Sequence, residues 1–411
     1  MYTYSMSMYE KCHIYCVSET NEYNVKCEYI DILKRGCRLM EKHAAERAVI
    51  LIPSLEPDER LPAYIKKLKE GGFAHIVVVD DGSNESFQPI FEKVSSVENT
   101  IVLHHDVNKG KGVALKTGYR YIMQNLPEIN GVITADADGQ HTVEDCLHLA
   151  EELEKGQRAL YLGSRNFNLA NVPPKSRTGN KITSAVFKLL YGQYLPDTQT
   201  GLRAFRKEEL AFMSAVEGER FEYEMKVLIA CSRAGIPIIP VTIETIYENE
   251  NEGTHFHPIR DSWRIYKVIL GSFFRFMSVS IFCFIIDQLL FNLFRNWLFP
   301  LLGIQMNLNL PLGMRLDNTS LSNYSARLIS AILNFYLNKD LVFKVRGRKG
   351  AGLRYAVTAI GIIVLSTLGI KALVIIGIAP WLAKIIVDSI LYFLSYRIQQ
   401  RWVFREGTAD E

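Results

Sequence analysis

The sequence predicts an α/β domain with a Rossmann-like, mostly parallel sheet, followed by an all-α domain of four transmembrane helices. Three observations predict it. Residues 47–260 alternate short β-branched runs with amphipathic stretches, the long apolar runs lie almost wholly after residue 272, and unusual polar clusters fall where strands end. The 411 residues exceed one ordinary domain, so at least two units are expected. Residues 1–46 read as an N-terminal extension of unassigned role, 47–257 as the α/β domain, 258–272 as an interfacial amphipathic helix and 273–405 as the membrane domain. With 48% apolar and 22% charged residues the chain is neither disordered nor collagen-like, and a net charge of +3 does not suggest nucleic-acid binding.

The seven cysteines, an odd number without a CxxC pair, argue against a disulfide framework and for a reducing environment. Cys12, Cys16, Cys27 and Cys37 crowd the extension, but their spacing matches no zinc-ligand pattern. The first residues lack the basic-then-apolar layout of a signal peptide, so the N-terminus is expected in the cytosol.

In order, AVILIP (48–53), HIVVVD (75–80), TIVLHH (100–105), GVITAD (131–136) and RALYLG (158–163) read as strands. Between them LPAYIKKLKE (61–70), KGVALKTGYRYIMQ (111–124) and TVEDCLHLAEELEK (142–155) read as helices. Such alternation builds a parallel sheet with helices on both faces, and ligands bind beyond the carboxyl ends of its strands.

Four clusters stand at those ends. IPSLEP (52–57) turns at Pro53, and VVVDDGS (77–83) puts Asp80 and Asp81 at a strand tip, as a site or as a plain turn. HHDVNKGKGVALKTG (104–118) sets Gly110 and Gly112, flanked by Lys109 and Lys111, before a helix start. Glycines let a backbone approach a ligand, and a helix start with lysines favours phosphate, although no Walker pattern is present. DADGQH (136–141) follows an apolar strand, and on an extended segment residues two apart share a face. Asp136, Asp138 and Gln140 together offer hard oxygen ligands for Mg²⁺ or Mn²⁺, which would hold a diphosphate; the alternative is a hydrated acidic turn.

PSLEP, VVDDGS, NKGKG, DADGQH and GSR (163–165) stand in the order and spacing of family 2 glycosyltransferases with the GT-A fold. Over about residues 47–265 the chain resembles most closely the polyprenyl-phosphate branch of that family, the relatives of dolichyl-phosphate mannose synthase. One departure is Pro57, where many relatives carry Glu, so Glu56 is expected to supply that carboxylate. The resemblance implies that Pro53, Glu56, Asp80, Asp81, Lys111 and Asp136 line a nucleotide-sugar pocket. It implies that Asp136, Asp138 and Gln140 hold Mg²⁺ or Mn²⁺, and that Arg165, Arg177 and Lys181 hold the acceptor phosphate. Asp197 and Arg203 in DTQTGLRAF (197–205), and Glu224 in FEYEM (221–225), fall on its catalytic side. Asp197 would orient or deprotonate the acceptor, and a buried Arg203–Glu224 ion pair is the structural alternative.

The implied reaction is inverting, metal-dependent transfer of a sugar from a UDP- or GDP-linked donor to polyprenyl phosphate, undecaprenyl phosphate in particular, for cell-surface glycan modification. A divalent ion offsets charge on the leaving diphosphate. A phosphate monoester, whose second pKa is about 6, needs placement by paired cations more than it needs a base.

FFRFMSVSIFCFIIDQLLFNLF (273–294), SLSNYSARLISAILNFYLNKDLVF (320–343), YAVTAIGIIVLSTLGIKALVIIGI (355–378) and PWLAKIIVDSILYFLSYRI (380–398) each approach the length of a bilayer span. Basic residues before the first span (Arg264, Lys267, Arg275), between the second and third (Lys344, Arg346, Arg348, Lys349, Arg354) and after the fourth (Arg397, Arg401, Arg405) place the α/β domain and both termini on the cytosolic face of the plasma membrane. RFMSVSIFCFIID (275–287) and ARLISAILNFYLNKDLVF (326–343) make 265–405 resemble a GtrA-type membrane domain. Asp287 and Asp388 would then face a polar path, each other, or hydrogen-bonding partners on neighbouring helices. A translocation protein for lipid-linked sugar, with a degenerate sugar-nucleotide domain, is the rival function. Self-association is left open by the sequence.

Overall fold

The computed structural model describes residues 41–169, 172–244, 258–304, 307–309, 315–343 and 350–404. Cys12, Cys16, Cys27 and Cys37, with the rest of the first forty residues, lie outside them, as do the basic residues of 344–349 and Arg405. The chain divides into two units, one reaching Ala185 and resuming from Tyr194 to Ile265, the other made of Val186–Gln193 and the chain from Tyr266.

The first unit is built on a seven-stranded sheet in the order β3-β2-β1-β4-β6-β5-β7. The strands are β1 (Ala48–Ser54), β2 (His75–Asp80), β3 (Thr100–His104), β4 (Gly131–Thr134), β5 (Leu160–Arg165), β6 (Arg203–Arg206) and β7 (Ile238–Ile243). β1 pairs in parallel with β2 and β4, β2 with β3, and β5 with β7, while β6 runs antiparallel between β4 and β5. The mostly parallel expectation therefore holds, with one reversed strand. β6 and β7 carry weak strand signals: RAFR is four residues with charged ends, and IIPVTI contains Pro240, tolerated because β7 is an edge.

The helices of this unit are α1 (Arg60–Glu70), α2 (Gln88–Ser95), α3 (Lys111–Asn125), α4 (Val143–Glu154), α5 (Pro174–Tyr191, whose last residues belong to the second unit), α6 (Leu210–Ala215) and α7 (Glu222–Ala234). Ile50, Ile52, Ile76, Val78 and Ile133 on one face of the sheet pack with Leu61 and Ile65 of α1, Phe91 of α2 and Leu149 of α4. Alternate residues point to the other face, where Leu51 meets Gly118 of α3. Helices on both faces are why β1 and β2 read as continuous apolar runs rather than alternating ones. β1 continues through Pro53 to Ser54 instead of turning at the proline. Pro53 lies beyond the last β1–β4 pair, Leu51 with Thr134, so its missing N–H leaves no gap in that ladder.

The second unit carries four long helices, α8 (Pro258–Leu293, which begins in the first unit), α9 (Asn318–Leu337), α10 (Ala351–Ile375) and α11 (Pro380–Ile398), plus a two-stranded β8–β9 hairpin (Asn307–Asn309, Arg315–Asp317). α8 is continuous, so the expected interfacial helix over 258–272 is its first part and not a separate element. Gly271 is the one weak helix former there, and a lone glycine does not end a helix. Among the described residues one helix, Ile265–Leu301, is long and apolar enough by itself to cross a membrane.

Some polar groups inside this unit find partners at hand, while Asp287 Oδ1 and Asn338 Oδ1 are buried with no hydrogen-bond partner among the described residues. Asp287 lies 3.7 Å from Arg327, and Asp388 accepts from Ser366 at 2.7 Å. Asn338 and Tyr355 both donate to the Asn334 side-chain oxygen, at 2.6 and 2.9 Å. Phe273 stacks on Phe393 and Phe343 on Phe404, with centroids 5.0 and 5.1 Å apart, tying α8 to α11 and the residues that follow α9 to those that follow α11.

A Cβ on Gly118 would come within 2.3 Å of Leu51 Cδ1. Gly118→Ala is expected to lower stability by about 1–3 kcal/mol through overpacking, and Leu51→Ala by about 2–5 kcal/mol through a cavity. Combined, they should cost clearly less than their sum, because each relieves the other's fault. Thermal unfolding of the four proteins in detergent measures this, and simple additivity would contradict the packing described.

Candidate active site

The carboxyl ends of β1, β2, β4 and β5 and the beginning of β6 lie at one edge of the sheet. Register forces this: Thr134 at the end of β4 and Leu162 in β5 both pair with Arg203, the first residue of β6. Asp136, Arg165 and Arg203 therefore emerge at the same edge.

At its centre is Lys111, the first residue of α3. Its Nζ donates to Asp136 Oδ1 at 2.7 Å and lies 3.0 Å from Glu224 Oε1. His141 Nε2 sits 3.3 Å from the other Asp136 oxygen. Burial alone would raise the Asp136 carboxyl, but Lys111 and His141 overcome it and hold the group well below the usual carboxylate range. Burial would likewise lower the Lys111 ammonium, and its two carboxylates instead hold it above its ordinary value. Asp138 goes the other way, raised first by burial and then by the neighbouring charge of Asp136.

Asp136, Asp138 and Gln140 do not share an extended segment. β4 stops at Thr134, and 137–139 form a turn in which Gly139 has φ +74° and Gln140 N–H donates to Asp138 Oδ1 at 3.1 Å. The three are kept close by the turn, not by strand alternation. Among the described residues no three His, Cys, Asp or Glu side chains form a ready metal cage. Mg²⁺ characteristically takes one or two carboxylates and completes its shell with water and substrate phosphates, so Asp136, Asp138 and the Gln140 amide are a sufficient protein share.

The glycines of NKGKG serve a different contact from the one expected. Gly110, at φ +100°, would place a Cβ 2.5 Å from the Glu219 carbonyl oxygen, and a Cβ on Gly112 would lie 2.6 Å from Tyr223 Cβ. They admit the 219–223 segment rather than a ligand, and this close approach is what carries Glu224 to Lys111. Gly201 works in the same way on the opposite side. Its Cβ would sit 2.4 Å from Asp136 Oδ2, and its carbonyl accepts from Thr134 Oγ1 at 2.8 Å.

Asp80 and Asp81 turn onto the chain instead of outward. Asp80 accepts from Ser83 N–H at 2.9 Å and meets His104 Nδ1 at 2.9 Å. Asp81 accepts from Lys109 and Gly110 N–H at 3.0 and 2.7 Å and meets His105 Nδ1 at 2.8 Å, with His105 Nε2 on Thr117. Both carboxylates are buried, so they shape the loop leading to Lys111 and do not present to a ligand. Glu56, at φ +50°, donates its N–H to Ser83 and accepts from Asn84 at 2.6 Å, which ties it to the segment after β2, while Pro53 is buried within β1.

Arg165 and Asp197 form a two-point pair, Nε to Oδ2 at 2.7 Å and Nη2 to Oδ1 at 3.3 Å. Asp197 is 0% exposed, so it orients Arg165 and does not reach an acceptor as a base. Arg203 and Glu224 are adjacent without the ion pair given as the structural alternative: Arg203 Nη1 donates to the Glu224 backbone carbonyl at 2.7 Å, while the Glu224 carboxylate serves Lys111. Arg203 Nη2 is buried with no partner among the described residues. Arg177 donates to the Leu169 carbonyl at 2.8 Å in the segment following β5, and the exposed Lys181 lies one turn further along α5. His141, Gly201 and His105 are the site residues that sequence reasoning passed over. His141 stood inside DADGQH, and only the attention to two-residue spacing left it out.

Residues 49–211 match the family model described as Glycosyl transferase family 2, and residues 275–404 match GtrA/DPMS, transmembrane domain. A UDP-N-acetylglucosamine–dolichyl-phosphate N-acetylglucosaminyltransferase of Methanococcus voltae is 29% identical over 215 residues, 48% of this chain and 85% of that protein. A dolichyl-phosphate beta-glucosyltransferase of Trichomonas vaginalis is 26% identical over 223 residues, 50% of this chain and 66% of that protein. Among solved structures, glucosyl-3-phosphoglycerate synthase from Mycobacterium tuberculosis aligns with a TM-score of 0.43 and 16% identity, over 56% of this chain and 82% of that one.

Because Asp138 must shed its raised proton to bind a cation, Mn²⁺ affinity is expected to climb with pH through a step lying above the ordinary Asp value of about 4. Asp136, held ionised, contributes no step there. Calorimetric titration between mildly acidic and neutral pH reads this, and a flat profile would count against it. Gly201→Ala, which pushes the Asp136 carboxylate aside, should weaken Mn²⁺ by about tenfold with little loss of fold.

Proposed function

We propose that the chain, which matches a family 2 glycosyltransferase model over 49–211 and a GtrA/DPMS transmembrane model over 275–404, is a glycosyltransferase that moves a sugar from a nucleoside-diphosphate donor to a polyprenyl phosphate in the membrane. The observation that carries this is the Lys111–Asp136–Glu224–His141 cluster standing at the same sheet edge as Arg165. One part suits a metal-bridged diphosphate and the other an anionic acceptor. Two of the relatives carry dolichyl phosphate, a polyprenyl phosphate, in their names.

Asp136 keeps 33% of its side chain exposed while ionised, and Asp138 and Gln140 follow it in the same turn. These are the residues that would hold Mg²⁺ or Mn²⁺, and the ion, when bound, supplies charge neutralisation to the departing diphosphate. Lys111 fixes Asp136 from beneath, and Glu224 fixes Lys111. Arg165, aimed by Asp197, with Arg177 and Lys181, would set the acceptor phosphate in line with the anomeric carbon. An ionised phosphate oxygen forms the new bond as the bond to the diphosphate breaks and its electron pair leaves with the nucleotide. No proton is transferred, which agrees with an Asp197 too buried to serve as base. A single displacement of this kind inverts the anomeric carbon.

We take undecaprenyl phosphate as the particular acceptor, for a route to surface glycans, and the basic segments around the spans favour a multi-pass protein with its catalytic unit in the cytosol. The rival reading as a translocator with a degenerate first domain finds no degeneration in the paired cluster.

Purified full-length protein in detergent, given Mn²⁺ or Mg²⁺, undecaprenyl or dolichyl phosphate and a panel of UDP- and GDP-sugars, is expected to form one lipid-linked sugar by mass spectrometry. Asp138→Asn should lower the rate by about 10²–10³-fold, several kcal/mol of lost charge stabilisation. Arg165→Lys, which keeps charge but loses the two-point pair with Asp197, should raise the acceptor KM more than it lowers kcat. Folded protein that forms no product with any donor would refute the proposal.

A further inference from the structure

The second unit holds a pair of arginines with no carboxylate partner among the described residues, beside an apolar cleft, and we infer that the pair is a site for the phosphate of an anionic glycerophospholipid resident in the membrane. Arg397 Nη1 donates to the Leu190 carbonyl at 2.7 Å, and Arg401 Nη2 to the Tyr191 carbonyl at 2.9 Å. The two guanidiniums thus cap the C-terminal end of the 186–191 segment, where a helix presents bare carbonyls and negative potential. Gly192, at φ +77°, ends it, and a Cβ there would lie 1.6 Å from Arg397 Nη2 and 3.0 Å from Arg401 Nη2. Both cations therefore crowd one point.

Two like charges four residues apart repel, and the carbonyls offset only part of that. Among the described residues neither arginine has a carboxylate within ion-pair distance. An anion between them would remove the repulsion and use the planar donors that remain on each guanidinium, which match phosphate geometry.

What kind of anion follows from the surroundings. A cleft of about 570 Å³ opens beside the pair, walled by Val357, Ile362 and Leu365 of α10 and by Ile398 at the end of α11. Gly361 lies in its floor, and a Cβ there would meet nothing within 4 Å. A phosphate with an apolar tail suits both parts, and a free phosphate would leave the cleft wall bare. The arginines hold the helix end through the Leu190 and Tyr191 carbonyls throughout turnover, so a counter-anion that need not leave suits them. That favours an abundant diacyl lipid over a polyprenyl phosphate, which has to leave after each reaction. The proposal needs only membrane residence and stands apart from the transfer reaction.

The test is native mass spectrometry of the full chain extracted from vesicles of equal phosphatidylglycerol and phosphatidylcholine. Wild-type protein should retain phosphatidylglycerol in preference by about tenfold, the scale of one charge-assisted contact. Arg401→Gln should abolish the preference. Gly361→Leu keeps both arginines, improves helix propensity and fills the cleft, and should release the lipid while leaving thermal stability close to wild type in lipid-free detergent. Equal retention of both lipids, or phosphatidylglycerol retention unchanged in Gly361→Leu, would overturn the proposal. So would stoichiometric displacement of phosphatidylglycerol by decaprenyl phosphate, which would give the cleft to a polyprenyl lipid.

Discussion

One ammonium group organises the catalytic edge. Lys111 lies between Asp136, which follows β4, and Glu224 of α7, two carboxylates from segments far apart in the chain. Without that cation, two partly buried carboxylates would face each other across low dielectric, and one of them would take up a proton. With it, Asp136 stays ionised and remains open enough on one side to meet a ligand. The strength of the arrangement comes from placement. Lys111 is the first residue of α3, and the loop before it is clamped by Asp81 through the Lys109 and Gly110 N–H groups.

Backbone proximity supports this as much as charge does. Three glycines stand where a methyl group would collide: Gly110 and Gly112 against the 219–223 segment, and Gly201 against Asp136 itself. Each removes side-chain volume so that charged groups from separate elements can converge. Such glycines lie inside motifs that look like ligand-binding loops, and their service to the site is one step removed from the ligand.

Much of the fold was legible because its signals are local. Five strands and the helices between them follow from β-branched runs and 3.6-residue periodicity. β6 escaped because a four-residue strand between polar residues owes its place to β4 and β5 on either side, a tertiary fact. The continuity of α8 through 272 was hidden for a related reason: a change of composition along a helix looks like a boundary although nothing in the backbone breaks. In the site, DADGQH and GSR pointed to the right edge. What the sequence could not provide was the direction of each side chain, because Asp80, Asp81, Asp136 and Asp197 are equivalent as letters and differ only in burial.

That difference decides how the acidic residues divide the work. Asp197 is 0% exposed, Asp80 2% and Asp81 4%, and each is saturated by a basic group or backbone N–H within the protein. Removing one member of such a pair strands the other and costs about 3–5 kcal/mol, so loss of activity on substituting these three would report damage to the scaffold. Asp136 and Asp138 stand in the opposite condition. One is ionised and a third exposed, and the other has its carboxyl raised by burial and then by the charge of its neighbour, a repulsion that a bound cation would relieve. Electrostatic tension that a cation can relieve is what makes a pair of carboxylates a metal site rather than a salt bridge. Among the four aspartates at or just after the ends of β2 and β4, Asp136 and Asp138 retain it.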